Sequence, residues 1–303
     1  MIELIDTNSA KIAAEFVQSR TRAGSPAMGM VMTLIIVAPE EDAAEAMLAA
    51  KRASREHPSR VLGVILGDAR GSGHVNAQVG SGDGWGGETA LIRLKGEVVK
   101  HAESVVLPLL LPDSPVAIWW PTTSPSDPAA DPLGALAQRR ITDSASVARG
   151  KSTAMLHQCR AYAPGNTDLS WTRLTPWRAL LAASLDQHPL KVTSAKVTAE
   201  RVSPSADLLV AWLWDRLKVE VSRGTSDGPG ITDVSMETKE GPIRIARADG
   251  ALATFTSPHR PDRPVALKRR EVPALLSEEL RRLDEDDVYA ATAAKLVKLR
   301  GAK

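Results

Sequence analysis

The sequence predicts an α/β protein made of two α/β domains, the first with a mixed sheet and a β-α-β unit, the second a smaller α+β domain with hairpins. Residues 29–38 (GMVMTLIIVA) form a continuous apolar run rich in β-branched side chains, which suits a strand buried on both faces. An Ala-rich helical stretch and a second apolar run, residues 60–66 (RVLGVIL), follow at once. The later chain alternates helical patterns with short runs around turn signals.

The elements follow in order. Pro39 suits a helix first turn, and Glu40, Glu41 and Asp42 after it suit the positive end of the helix dipole. The stretch EEDAAEAMLAAKRASREH ends in basic residues and is stopped by Pro58. Strand, helix and strand with short links imply parallel strands joined by a right-handed crossover. Two Gly-rich connections, residues 67–73 and 80–87, then frame HVNAQV and ETALIRLKGEVV, which read as antiparallel strands. A short helix over 99–110 is broken by Pro108, and Pro115 opens a strand over 116–120. A loop rich in Pro, Ser and Asp covers 121–132, and a strand at 140–143 closes this half.

A boundary falls in the segment 163–170 (APGNTDLS), giving domains 1–165 and 166–303. Beyond it, helices are expected from WTRLTPWRALLAASLDQH and over 208–217. Strands 243–247 and 251–256 flank the turn signal Asp249-Gly250. Helices at 273–283 and 286–299 end the chain.

Composition narrows the function classes. Hydrophobic residues are 43 % and charged residues 24 % of 303, so the chain can bury a sizeable core and is not of the disordered class. The net charge of +2 gives no one-sided basic stripe, so no nucleic-acid partner is expected. The run Lys268, Arg269, Arg270 is soon followed by Glu278 and Glu279 and reads as a solvated surface. The single cysteine, Cys159, cannot close an intrachain disulfide or build a structural zinc site, which fits a reduced, cytoplasmic setting. The N-terminal residues lack the pattern of a secretory signal. The apolar run 104–120 is interrupted by Pro108, Pro112, Asp113 and Pro115, so no membrane span is expected.

Candidate chemistry is sparse. Gly82, Gly84 and Gly87 have dinucleotide-loop spacing, but a strand pattern follows where the phosphate-binding helix should be. The segment 145–152 (ASVARGKS) is a phosphate-loop pattern with Ala145 in place of the first glycine. In it Lys151 would neutralise phosphate and Ser152 would meet magnesium, which keeps a nucleotide-binding protein as the alternative reading. The six histidines show no metal spacing; His57 and His188 precede prolines near helix ends, where they suit capping. No catalytic residue, cofactor or metal is expected.

Tryptophan is the remaining signal. The chain has seven Trp against two Tyr and two Phe. Trp119 and Trp120 are adjacent, so on a strand they face opposite sides. Trp171, Arg173, Trp177 and Arg178 crowd one segment, and Trp and Arg are the commonest interface anchors. These six residues are the candidate partner-binding set, with the core as the other place for the indoles. Trp212 and Trp214 flank Leu213 on a helix and are assigned to the core.

Three stretches carry a resemblance: VVLPLLLPDSPVAIWWP (105–121), RRITDSA (139–145) and TDLSWTRLTPWRALLAASLD (167–186). Together with HPSRVLGVI (57–65) and the Gly-rich loop before Glu88, their order and spacing resemble the glucose-6-phosphate dehydrogenase assembly protein family (OpcA). The resemblance implies a bacterial, non-catalytic protein of carbohydrate metabolism. It implies one that promotes assembly or allosteric activation of glucose-6-phosphate dehydrogenase at the entry to the oxidative pentose phosphate pathway. Some relatives are described as redox-controlled through cysteines, a pattern from which the lone Cys159 departs.

Overall fold

All six residues of Met32–Val37 are buried, as a strand covered on both faces requires. A computed structural model describes residues 1–23, 29–81, 87–187 and 189–301. In chain order it contains β1 (Ile2–Leu4), α1 (Ser9–Ala23), β2 (Met32–Val37), α2 (Glu40–Ala53), β3 (Ser59–Leu66), β4 (His74–Ser81), β5 (Glu88–Lys95) and α3 (Ala102–Val106). Next come β6 (Val116–Trp119), β7 (Arg139–Thr142), α4 (Lys151–Arg160), β8 (Asn166–Asp168), α5 (Leu169–Thr172) and α6 (Thr175–Gln187). The chain ends with β9 (Val192–Glu200), α7 (Pro204–Leu217), β10 (Glu220–Ser226), β11 (Ile231–Thr238), β12 (Ile243–Ala246), β13 (Leu252–Thr256), β14 (Arg263–Ala266), α8 (Val272–Leu280) and α9 (Asp287–Gly301).

The chain divides into two compact units. The first is Met1–Asp143 with Gly165–Thr167 and Val272–Glu285; the second is Ser144–Pro164 with Asp168–Glu271 and Asp286–Lys303. The cut differs from a single boundary at residue 165, because the chain crosses more than once. Helix α8 returns to pack on α2 in the first unit. There Arg139 forms a buried ion pair with Glu279, and its Nη1 donates to the carbonyl of Asp284 at 3.1 Å. Conversely α4 packs on α7 and α9 in the second unit.

The first unit is built on a sheet of order β1-β4-β5-β3-β2-β6-β7-β8. Strands β2, β3, β5, β6 and β7 run parallel, and β4 joins β5 antiparallel with His74 opposite Lys95. This is the expected mixed sheet, with the β-α-β unit at β2-α2-β3. Alternation assigns the two faces. Ile35, Val37, Leu62 and Val64 share a core with Ile12 and Phe16 of α1. The intervening Gly63 faces α2, where a side chain would strike Met47 Sδ at 2.7 Å. The glycine lets α2 seat on the sheet.

The second unit holds a sheet of order β10-β9-β11-β12-β13-β14. Strands β9 and β10 are parallel, and α7 connects them. The other pairs are antiparallel, including the expected hairpin of β12 and β13. Ser203 caps α7 by accepting from the Ala206 N–H at 3.4 Å, and Pro204 opens the helix. Leu208, Leu209, Ala211 and Leu213 of α7 are buried in a core shared with Val197, Val234 and Ile245 of the sheet.

Candidate functional site

The six candidate partner-binding residues fall in two places. Trp119 and Trp120 lie in the first unit, at the end of β6 and just after it, and each is 2 % exposed. They face opposite sides of a strand, yet both are buried because the sheet is covered on both faces. Trp120 joins the core beneath α1, and its N–H donates to the Ile141 carbonyl at 2.9 Å. The Trp119 indole nitrogen is buried with no hydrogen-bond partner among the described residues.

In the second unit Trp171 and Trp177 are also buried, at 1 % and 2 % exposure. The local fold around them starts at Asp168, itself fully buried. Its carboxylate accepts the Ser170 N–H at 2.8 Å, capping α5, and takes both the N–H and hydroxyl of Ser144 at 2.9 and 2.7 Å. That fixes Trp171, whose indole N–H donates to Asp286 Oδ2 at 2.8 Å. The Arg178 guanidinium covers the Trp171 ring at 3.7 Å, and Tyr289 leans on it at 5.7 Å. Arg247 sits 5.0 Å over Trp177. The four indoles are therefore interior, the core placement that the sequence left open beside the interface. Arg173 and Arg178 are half-buried and supply what that segment presents outward. Trp212 and Trp214, assigned to the core, are instead half-buried residues packed at its margin. Lys295 lies 5.1 Å over the Trp214 ring.

Two sequence signals that looked unrelated meet in one cavity of the second unit, of about 260 Å3. Arg173 and Trp177 line it, and so do Ala145, Ser146 and Lys151 of the phosphate-loop pattern. Gly150 adopts the left-handed conformation, φ +68°, and Lys151 begins α4 with no side chain capping it. The remaining cations come from sequence positions with no visible link: Arg247 after β12, and Lys268, Arg269 and Arg270 after β14. That run, read as a solvated patch, is a wall of the cavity. Arg270 donates to the Thr172 carbonyl at 3.3 Å. Burial, with the Arg269 charge beside it, pushes the Arg247 guanidinium below its ordinary value.

Gly82, Gly84 and His188 lie outside the described residues. Gly87 is buried and leads directly into β5, so a strand follows the glycine pattern. Cys159 is buried with its Sγ 3.6 Å from Met155 Sδ. Burial first, then Asp168 and Asp207, push its thiol far above the usual range. Among the described residues no group of three or more His, Cys, Asp or Glu side chains could hold a metal ion. No described helix is long and apolar enough to cross a membrane.

Comparison with known proteins gives two family matches. Residues 50–161 match the glucose-6-phosphate dehydrogenase subunit N-terminal domain, and residues 164–293 match the C-terminal domain of the same subunit. No curated protein matches the chain. Among solved structures, one is the K102A mutant of KijD10, a 3-ketoreductase from Actinomadura kijaniata in complex with TDP-benzene and NADP. It is 8 % identical with a TM-score of 0.48, covering 89 % of this chain and 96 % of that one. Another, from E. coli, is described as trehalose-6-phosphate bound with UDP-2-fluoro glucose. It is 11 % identical with a TM-score of 0.26, covering 65 % of each chain. Neither structural likeness carries an argument about function.

Proposed function

This chain belongs to the glucose-6-phosphate dehydrogenase subunit family (OpcA), and on that premise we propose that it is a non-catalytic, cytoplasmic assembly factor and allosteric activator of the dehydrogenase. It acts by binding the enzyme directly. The observation that carries this reading is the pair of family matches, which run in order through both halves of the chain. They support a role in glucose-6-phosphate dehydrogenase assembly.

The physical mechanism is linkage. A partner that binds the active or assembled enzyme better than its other states shifts the population by that difference in affinity. A coupling of about 1–3 kcal/mol gives roughly a 5- to 150-fold effect. We place the contact on the segment carrying Arg173 and Arg178. The buried Trp171 and Trp177 hold that segment rigid, so little ordering entropy is lost on docking. Trp119 and Trp120 do the same for the end of β6.

Titrating the purified chain into glucose-6-phosphate dehydrogenase while following NADPH formation tests the reading. A saturable rise in rate is expected, weakened by Arg173→Glu. A rate that stays flat to micromolar chain rules activation out.

A further inference from the structure

Six cationic side chains converge on the cavity of the second unit: Lys151, Arg173, Arg247, Lys268, Arg269 and Arg270. Glu200 is the one carboxylate residue in its lining. Like charges gathered in a confined space repel one another, so such a cluster is unfavourable unless an anion balances it.

The deepest of the six, Arg247, makes no ion pair within 4.0 Å among the described residues, and Asp249 acts on it only through its charge. Arg247 is 5 % exposed. Its Nη1 donates to the Leu267 carbonyl at 2.7 Å and its Nη2 to the Ile231 carbonyl at 3.0 Å. Carbonyls satisfy these two donors but bring no formal negative charge, so the guanidinium is buried without a direct anionic partner among the described residues. Its Nε is buried with no hydrogen-bond partner among the described residues. Around it, Lys151, Lys268 and Arg269 have no carboxylate within 4.0 Å among the described residues. Helix α4 adds to the field, since it begins at Lys151 with its first amides uncapped by any side chain.

We propose that this cavity binds a small phosphorylated metabolite. The phosphate is balanced by Lys151, Lys268, Arg269 and the buried charge of Arg247, and the carbon skeleton lies against Leu174 and Pro176. A phosphate monoester carries close to two charges at neutral pH and several strong acceptor oxygens, which matches a many-cation site better than a single carboxylate does. Size narrows the choice. The cavity, about 260 Å3, lies just under the roughly 300–1,000 Å3 of drug-sized ligand sites, so a phosphosugar-sized compound fits and a dinucleotide does not. The cavity shares Arg173 with the segment proposed to meet the dehydrogenase, but ligand binding measured without the enzyme tests the cavity by itself.

Calorimetry on the full chain tests this, at constant ionic strength and with no dehydrogenase present. The probes are a hexose 6-phosphate, the same hexose without phosphate, ATP and inorganic phosphate. The expected result is saturable binding of a phosphorylated compound, tighter than inorganic phosphate, with the bare hexose silent. Whether the hexose phosphate or ATP binds better identifies the source of the phosphate, and either supports the site. Lys268 and Arg269 are exposed, so the double variant Lys268→Glu/Arg269→Glu should fold normally and lose affinity by at least about tenfold. Lys151→Ala should weaken binding in the same direction. Lys298→Glu, an exposed charge reversal outside the cavity lining, should leave it unchanged. Three results overturn the proposal: no saturable binding at millimolar ligand, binding no tighter than inorganic phosphate, or equal losses in the cavity variants and Lys298→Glu.

Discussion

Trp171 and Asp286 are joined by a 2.8 Å hydrogen bond from the indole N–H to Oδ2, while Oδ1 of the same carboxylate accepts the Tyr289 N–H at 2.8 Å. One side chain thus caps the start of α9 and satisfies a buried indole on α5. The bond spans 115 residues of sequence and closes the aromatic cluster of Trp171, Tyr289 and Tyr162.

Trp171→Ala should therefore behave as a core truncation, costing about 3–5 kcal/mol in urea unfolding. Asp286→Ala should cost about 1–3 kcal/mol, since it removes a helix cap and strands a buried donor. A Trp171→Ala protein with unchanged stability and a weakened dehydrogenase complex would return the indole to the interface.

A second prediction concerns a buried charge in the first unit. Arg60 Nε donates to Glu88 Oε2 at 2.7 Å, and its Nη1 donates to the Leu109 carbonyl at 2.7 Å. Arg20 reaches the other oxygen of Glu88. Glu88→Ala leaves Arg60 buried without its anion and should cost about 3–5 kcal/mol. The double variant Arg60→Met/Glu88→Leu should recover most of that. If the double variant is as unstable as the single one, packing and not charge explains the loss.

Gly165 adopts φ +86°, and a Cβ there would come within 2.1 Å of the Gln138 carbonyl oxygen. The Gly165 carbonyl accepts the Arg140 N–H at 2.9 Å, so the backbone cannot move aside freely. Gly165→Ala should lower stability by more than about 1 kcal/mol, read as a fall in thermal midpoint. An unchanged midpoint would show that the turn relaxes without cost.

The Cys159 thiol is held protonated by burial and by nearby carboxylates, so little nucleophilic thiolate forms at neutral pH. Alkylation of the native protein should be far slower than of the urea-unfolded chain, and mild peroxide should leave dehydrogenase activation intact. Fast native labelling would show that the site opens and would restore a thiol-based control.

Legibility from sequence followed the locality of the cause. The unit β2-α2-β3 was readable because its signals are adjacent: a wholly apolar strand, Pro39 with acidic residues at the helix start, and Pro58 beyond its end. The β12–β13 hairpin announced itself through Asp249-Gly250. Strand β9 and its parallel partner β10 were not readable. β9 alternates small and polar residues, and its pairing with β10 is made through α7, not through a turn. Trp119 and Trp120 stayed open between core and interface for a related reason: strand alternation says they face opposite ways but not whether both sides are covered. The cationic cavity had no local signature at all. Its cations come from four separate stretches that only the fold brings together, and the 268–270 run looked like ordinary surface.

The most direct measurement is the mass of purified glucose-6-phosphate dehydrogenase by light scattering, with and without an equimolar amount of this chain. Direct binding predicts a heavier, stoichiometric complex that elutes as one species. Two peaks with unchanged masses at micromolar concentration would contradict it.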